Sequence, residues 1–529
     1  LFEVFNNKQI AQFSLKPKTI MTRLLFFACF VIGIITTNAQ QITAQIVNSQ
    51  TRESVSFATI KIADTELISN DNGYFTFSQE KVANSDLISV SSIGYLQKNI
   101  LLSDLKSNNN IIYIEPVIYE FSEVLVSNEI IDPYQIMKIV RDSLTKNYTT
   151  ESYKNTFFSR TAFTFVPKKL NIEVKKSTAM SKENLAQANR EIEQIANHTI
   201  NEKVMFYDDK WFDLYKIIQD KKVNYKLGMQ KHVLLQNENK PSGIDEIQQS
   251  SMDVFLKLLD TTKFYRVKSG LFGSRDTISF SKEYNNGEKQ RRVKISVGDD
   301  KEEDTISKSV LLRENIISAL RRNSITEEAM LDFVHSIGNY DYTYVEATYL
   351  NNDLVFVIDF KPKKKRGKFQ GKLYINESDY AVLRVDYKLV EGRKIQGINL
   401  KFLLGVKFAR NHCTGTIIFK KNKHSDSYGF HYFSQEIGDY FYINRPIKFI
   451  ELAKKNKDVV AFDLKVEGDN ITKTEFLNID SQQTSKATFN SFIEPNFSTE
   501  YLKKYDPTIW KDYHIIEPLE EMKKFEATE

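Results

Sequence analysis

Ser56-Phe57-Ala58-Thr59-Ile60-Lys61-Ile62, followed by Ser69-Asn70-Asp71-Asn72-Gly73 and Tyr74-Phe75-Thr76-Phe77, decides how the first part of this 529-residue chain reads. Apolar and polar residues alternate, which is the period of a half-buried strand. Asn72-Gly73 predicts a hairpin with a type I′ turn, because that turn needs φ > 0 at both central residues. The pattern extends outward through Ile42 to Val47, Leu87 to Val90, Asn99 to Leu102, Ile111 to Ile114 and Val124 to Val126. Short strands divided by turn signals, about seven of them, predict an all-β sandwich over residues 40–128.

This stretch resembles the carboxypeptidase-regulatory-like domain, a transthyretin-like sandwich common in Bacteroidetes envelope proteins. The residues that carry the resemblance are Ser56 to Ile60 after a tight turn at Thr51-Arg52-Glu53, Ser69 to Phe75, Ile93-Gly94-Tyr95 and Phe121 to Val126. The resemblance implies a non-catalytic accessory module, found ahead of transporter plugs, outer-membrane barrels and peptidases alike. It does not name the function of the rest of the chain.

Residues 1–39 read as an extended start plus a secretory signal peptide. Met21-Thr22-Arg23 is a basic n-region, Leu24 to Ile35 an apolar h-region, and Thr37-Asn38-Ala39 a small-residue cleavage site. The apolar run is too short to span a bilayer. Those residues carry Lys8, Lys16, Lys18 and Arg23 against Glu3, so the formal +5 of the whole chain becomes a near-balance of 69 basic and 67 acidic residues. No long-range basic field argues for nucleic acid. Of the two cysteines only Cys413 lies beyond the signal, which leaves no internal disulfide for an exported protein.

Beyond the sandwich, residues 129–340 read as helix-rich with a few strands. Asp132 and Pro133 are a helix start signal, and Ile136, Ile139, Val140 and Leu144 come next at helical spacing. Asn155 to Val166 reads as a strand, and Glu183 to Ile200, Met252 to Leu259, Leu311 to Leu320 and Glu327 to Ile337 as helices. Tyr207 to Ile218 is read as an amphipathic helix or a covering loop. Asp276 to Phe280 and Val293 to Val297 are short strand signals.

Residues 341–480 alternate repeatedly, with Phe402 to Phe408, Thr416 to Lys420, Tyr428 to Phe433 and Phe441 to Ile450 among the runs, and predict an antiparallel meander of about nine strands. One face of such a sheet must be covered, and the helices of 129–340 are the expected cover. The resulting fold class is an all-β amino-terminal sandwich, then an α+β domain with a large antiparallel sheet covered by helices. Gly371 to Val385 also resembles a hairpin of periplasmic lipoprotein-carrier proteins. That resemblance implies an incomplete barrel closed by helices, with an apolar cavity for acyl chains. Residues 481–529 read as a polar tail.

Motifs for chemistry are sparse. His514 and Glu517 have a zinc-ligand spacing, but only twelve residues come after Glu517 and no His-Glu-x-x-His occurs. His412, His424 and His431 could meet on adjacent strands, yet they read better as ordinary polar positions. Cys413 beside His412 would point to the opposite face of a strand, which excludes a direct nucleophile–base pair. The candidate surface contact is Lys363, Lys364, Lys365 and Arg366, read foremost as a solvated hairpin loop. Its functional reading is anionic lipid or acidic polysaccharide, each cation contributing ~1 kcal/mol near an anionic membrane. The candidate groove aromatics are Tyr428, Phe430 and Tyr432, suited to a surface that is apolar at one end and wet at the other. These features predict a non-enzymatic, exported cell-envelope protein, periplasmic or associated with the outer membrane. No cofactor, metal or nucleic acid is expected, and the expected partners are a lipid or other envelope proteins. Two competing readings are a structural scaffold and a hydrolase acting on peptide or glycan.

Overall fold

Strict alternation in the first strand buries Ile42, Ala44 and Ile46 and exposes Gln41 and Thr43. The computed structural model describes residues 41–79, 82–117, 132–148, 152–178, 180–200, 204–219, 222–236, 264–269, 272–279, 308–328, 331–422, 425–453 and 457–527. The sandwich strands are β1 (Gln41–Asn48), β2 (Thr59–Ile62), β3 (Thr65–Ile68), β4 (Tyr74–Ser78), β5 (Leu87–Ser91), β6 (Lys98–Leu101) and β7 (Ile111–Ile114). They form a three-stranded sheet, β4-β1-β7, facing a four-stranded one, β3-β2-β5-β6. Ile46, Ile60, Phe75, Ile88, Val90 and Ile112 fill the space between them. The expected closing strand at Val124 to Val126 lies outside the described residues, as do the expected signal peptide over residues 1–39, the expected helix Met252 to Leu259 and the expected strand Val293 to Val297.

The Asn72-Gly73 turn is not the expected hairpin. β3 and β4 lie in different sheets, and only Gly73 has positive φ, +76°. Asn70 organises the corner instead. Its Oδ1 accepts from the backbone N–H groups of Asn72 and Tyr74, both at 3.0 Å, and its carbonyl accepts from Gly73 at 2.9 Å. A short polar side chain that mimics a backbone turn sends the chain across the sandwich. A Cβ on Gly73 would lie 2.7 Å from the Ile46 carbonyl oxygen, in a left-handed backbone region. Gly73→Ala is expected to destabilise the fold by about 1–2 kcal/mol, read as a lowered melting temperature.

The remaining strands form one fourteen-stranded sheet. They are β8 (Tyr153–Ser177), β9 (Val204–Gln219), β10 (Lys222–Leu235), β11 (Phe264–Ser269), β12 (Phe272–Ser279), β13 (Tyr340–Leu350), β14 (Asp353–Pro362), β15 (Phe369–Asn376), β16 (Val382–Leu389), β17 (Gln396–Leu400), β18 (Val406–Lys421), β19 (Tyr428–Glu451), β20 (Val459–Gln483) and β21 (Glu500–Leu502). The main path runs β13-β14-β15-β16-β18-β19-β20-β8-β9-β10-β21, antiparallel except for the β10–β21 pair. β11 joins the edge of β19, and β17 pairs with β18.

One face of this sheet carries the helices. Asp132 caps the helix Pro133–Asn147 by accepting from Tyr134 N–H, and that helix buries Ile136, Met137, Val140 and Leu144. The helix Lys308–Arg322 and the short turn Asp332–His335 pack beside it. Phe333 stacks on Phe360 with ring centroids 4.1 Å apart. The helix Lys182–Ile200 covers the far part of β8 through Ala188 and Ile192. The expected helix over Glu327 to Ile337 is reduced to the turn Asp332–His335 and a 3-10 turn at Ile337–Asn339.

Three expectations are corrected. The region 129–340 does not merely cover a sheet supplied by its flanks, because β8, β9 and β10 are internal strands of that sheet. Tyr207 to Ile218 is strand β9, neither helix nor loop. It is buried on both faces, with Tyr207 and Trp211 on one side and Phe212 and Leu214 on the other. Burial on both sides removes the alternation that would have marked a strand. The tail is not a loose polar segment either. β21 pairs with β10, and Trp510, Ile516 and Met522 are buried against Phe158 and Trp211. The sandwich, through Phe57 and Ile68, and this tail pack on the part of the second face that carries Phe158, Trp211, Tyr432 and Leu477.

Candidate functional site

The sandwich sits on the sheet through a seam of buried charge and aromatic rings. Phe57 packs against Tyr432 with ring centroids 5.2 Å apart, and the Arg384 guanidinium lies 5.7 Å over the Phe57 ring. Lys473 Nζ lies 2.5 Å from Asp71 Oδ2 and 3.8 Å from Glu475 Oε1. Tyr432 donates its hydroxyl to Glu475 at 2.9 Å. Glu66 of β3 pairs with Lys420 of β18. Asn70 donates to the Glu517 carbonyl at 3.0 Å, and Gly94 N–H to that of Tyr349 at 3.0 Å. Burial pushes the Glu475 carboxyl above its ordinary value against the pull of Lys473. Burial and Glu475 push the Tyr432 hydroxyl up as well. These groups bind one another across the seam rather than face an open cavity.

Beneath the seam, Arg160 of β8 lies directly opposite Asp209 of β9. Two hydrogen bonds of 2.9 and 2.7 Å join them, and a third runs from Arg160 to the Ile516 carbonyl at 2.9 Å. Spacing in the chain carried no sign of this arrangement. The one usable signal was charge inside aromatic runs, such as Asp208-Asp209-Lys210 between Tyr207 and Trp211.

The three groove aromatics do not share a face. Ile418 pairs with Tyr432 and Phe419 with Phe430, so His431 is an extra residue in a β-bulge. A bulge reverses the side-chain alternation beyond it. Tyr428 and Phe430 therefore join the helix-covered core. Tyr428 donates to Asp379 at 2.9 Å, and Phe430 contacts Phe433 at 5.4 Å between ring centroids. Tyr432 points the other way, into the seam. The predicted groove is two separate pieces of core.

Lys363, Lys364, Lys365 and Arg366 form an exposed hairpin loop between β14 and β15. Lys363 Nζ is 3.5 Å from Asp341 Oδ1. Arg393 donates to the Lys364 carbonyl at 3.1 Å, and Lys368 Nζ to that of Ile395 at 2.9 Å. These bonds tie the loop to the segment entering β17. A cleft of about 540 Å³ opens beside it, lined by Gln370, Lys388, Arg393, Lys394, Asn411 and His412.

Among the described residues no group of three or more His, Cys, Asp or Glu is placed to hold a metal ion. His412 pairs with Glu436 at 2.8 Å on the surface, whereas His431 is buried in the seam. His424 lies outside the described residues. Glu517 pairs with Lys523 at 2.8 Å. Cys413 is buried in the core, and burial pushes its thiol up to about 12. Among the described residues no helix is long and apolar enough to cross a membrane.

No family model matches the chain, and no curated protein does. Among solved structures the chain is similar to a DUF1329 family protein from Desulfovibrio piger, at 10% identity and a TM-score of 0.17. The match covers 68% of this chain and 98% of that one. A score of that size carries no argument about fold or function.

Proposed function

We propose that this chain is a non-enzymatic scaffold of the cell envelope. It is exported, and its amino-terminal sandwich is an interaction module of the carboxypeptidase-regulatory-like type. The observation that carries this reading is the seam. Lys473–Asp71, Lys420–Glu66 and Phe57–Tyr432 fix the sandwich on the sheet, so its outer surface is presented at a set orientation. That surface carries Leu87 and Leu101, cross-strand partners on β5 and β6, both exposed along with Leu96. Exposed apolar neighbours of this kind favour protein contact. The filled core, in which Phe157, Phe212, Phe433 and Phe476 pack on one another, speaks for a scaffold over an acyl-chain carrier.

Native mass spectrometry of the gently purified protein, followed by organic extraction, tests the reading. The bare polypeptide mass is expected, with no lipid in the extract. One lipid per chain, lost on extraction, would favour the carrier and overturn the scaffold.

A further inference from the structure

Among the described residues the most exposed large apolar side chain is at a corner that the seam does not involve. Phe402 is 103% exposed and Leu403 81%, both in the helical turn Lys401–Leu404 that comes after β17. Ile398 and Leu400 of β17 are exposed as well. Every residue of β17 is exposed, and among the described residues the strand pairs only with β18. A solvated flap of this composition has no reason to carry Phe and Leu at its tip for the sake of its own fold.

The base of the flap is tied to β19 through Gly405. Gly405 ends the turn in the left-handed region at φ +63°, and its N–H donates to the Lys401 carbonyl at 3.1 Å. Its carbonyl accepts from Asn444 at 2.7 Å. A Cβ at this position would lie 1.9 Å from the Asn444 carbonyl oxygen. Only glycine lets the turn approach β19 so closely, and that approach aims Phe402 and Leu403 outward.

The surroundings combine cations and aromatic rings with two carboxylates on β20, Glu467, which accepts from the Tyr440 hydroxyl at 3.0 Å, and Asp469 opposite Tyr440. Lys401 Nζ lies 4.2 Å from the Tyr442 ring and Lys407 Nζ 4.8 Å from the Tyr440 ring. Lys394 and Arg393 precede the flap, and Arg393 connects it to the Lys363–Arg366 loop. Glu391 is the acidic residue in the adjoining cleft. Apolar tips flanked by Lys401, Lys407 and the half-buried Tyr440, with Tyr442 buried beneath Lys401, match the layering of a lipid surface: hydrocarbon, then an interface that favours Tyr, then anionic head groups. A protein partner would need no such ordering of side chains.

We propose that the flap Gln396–Leu404 docks this protein on an anionic phospholipid bilayer, with Phe402 and Leu403 inserted and Lys394, Lys401 and Lys407 at the head groups. This contact is with a bilayer surface and not with a lipid held inside the fold, so it is independent of the scaffold reading and fails separately from it.

Co-sedimentation with phosphatidylcholine vesicles, with and without phosphatidylglycerol, tests the proposal. The protein is expected to pellet with the anionic vesicles and to release as salt rises. The double variant Phe402→Ser/Leu403→Ser should lose tenfold or more in partition with an unchanged melting temperature. Lys401→Gln/Lys407→Gln should weaken binding to anionic vesicles only. Phe402→Trp supplies a second readout, a blue-shifted emission on adding anionic vesicles. Absence of vesicle binding by the unaltered protein, equal binding by the Ser variant, or an unshifted Trp spectrum would each overturn the proposal. So would a dimer that the Ser variant dissociates in the absence of any vesicle binding.

Discussion

Replacing Arg160 with alanine is expected to lower the stability of the protein by about 3–5 kcal/mol, the cost of leaving one member of a buried ion pair behind. Arg160 is 4% exposed and Asp209 0%. Their bidentate geometry satisfies both carboxylate oxygens at 2.9 and 2.7 Å. Burial pushes the Asp209 carboxyl above its ordinary value while Arg160 holds it down. Without the guanidinium, Asp209 takes up a proton more readily, which limits the loss but leaves a polar group buried with weaker partners. The variant also removes the anchor on the Ile516 carbonyl, so the carboxy-terminal segment should become more sensitive to protease. The pairwise control is Arg160→Met/Asp209→Leu, which removes both charges and should cost less than Arg160→Ala alone. Urea unfolding of the three proteins measures this. A loss below about 1 kcal/mol for Arg160→Ala would mean that the pair behaves like an exposed one.

The second large effect is on acid stability. His431 is the bulged residue of β19, buried, with Nε2 3.7 Å from Glu66 Oε1 and no hydrogen-bond partner among the described residues. Burial pulls its imidazole down from 6.5 to about 4, and Lys420 adds to this while Glu66 opposes it. The unfolded chain therefore binds a proton near pH 6.5 that the folded protein refuses until about pH 4. In that window the unfolded state holds more protons, so stability rises with pH. The contribution is fully present above pH 6.5 and is lost as pH falls through the window, by up to about 3 kcal/mol at ~1.4 kcal/mol per unit. Because His431, Glu66 and Lys420 lie where β3 meets β18 and β19, acid should loosen the sandwich from the sheet. Denaturant unfolding at pH 7, 6, 5 and 4 is expected to show the slope, and His431→Phe to flatten it. An identical slope in the variant would remove His431 as its source.

Much of the fold was legible. Six of the seven described sandwich strands, the helix begun by Asp132-Pro133 and the hairpins from Tyr340 to Leu389 each carry their own local period or cap, whereas β3 (Thr65–Ile68) went unread because it follows β2 after only two residues. The long strands were harder to read. Phe402 to Phe408 and Thr416 to Lys420 looked like two strands, yet β18 begins at Val406 and runs unbroken to Lys421 after a helical turn. β19 likewise joins two predicted strands through Gln435 to Asp439, polar residues held in the ladder by partners on both sides. Polar residues are tolerated there because the backbone bonds are satisfied whatever the side chains do. The aromatic row Tyr428, Phe430 and Tyr432 failed as a groove for one reason, the extra residue at His431.

By itself, the sequence determined what depends on neighbours along the chain: alternation, caps, turn residues, the exposed basic loop at Lys363 to Arg366, and the opposed faces of His412 and Cys413. The tertiary structure alone decided what depends on residues far apart. Asp71 meets Lys473, Glu66 meets Lys420 and Asn70 meets Glu517, and none of these pairs leaves a spacing in the sequence. The direction of Tyr432 and the exposure of Phe402 belong to the same class. A bulge changes a face without changing composition, and an apolar side chain is exposed only when nothing else in the fold covers it.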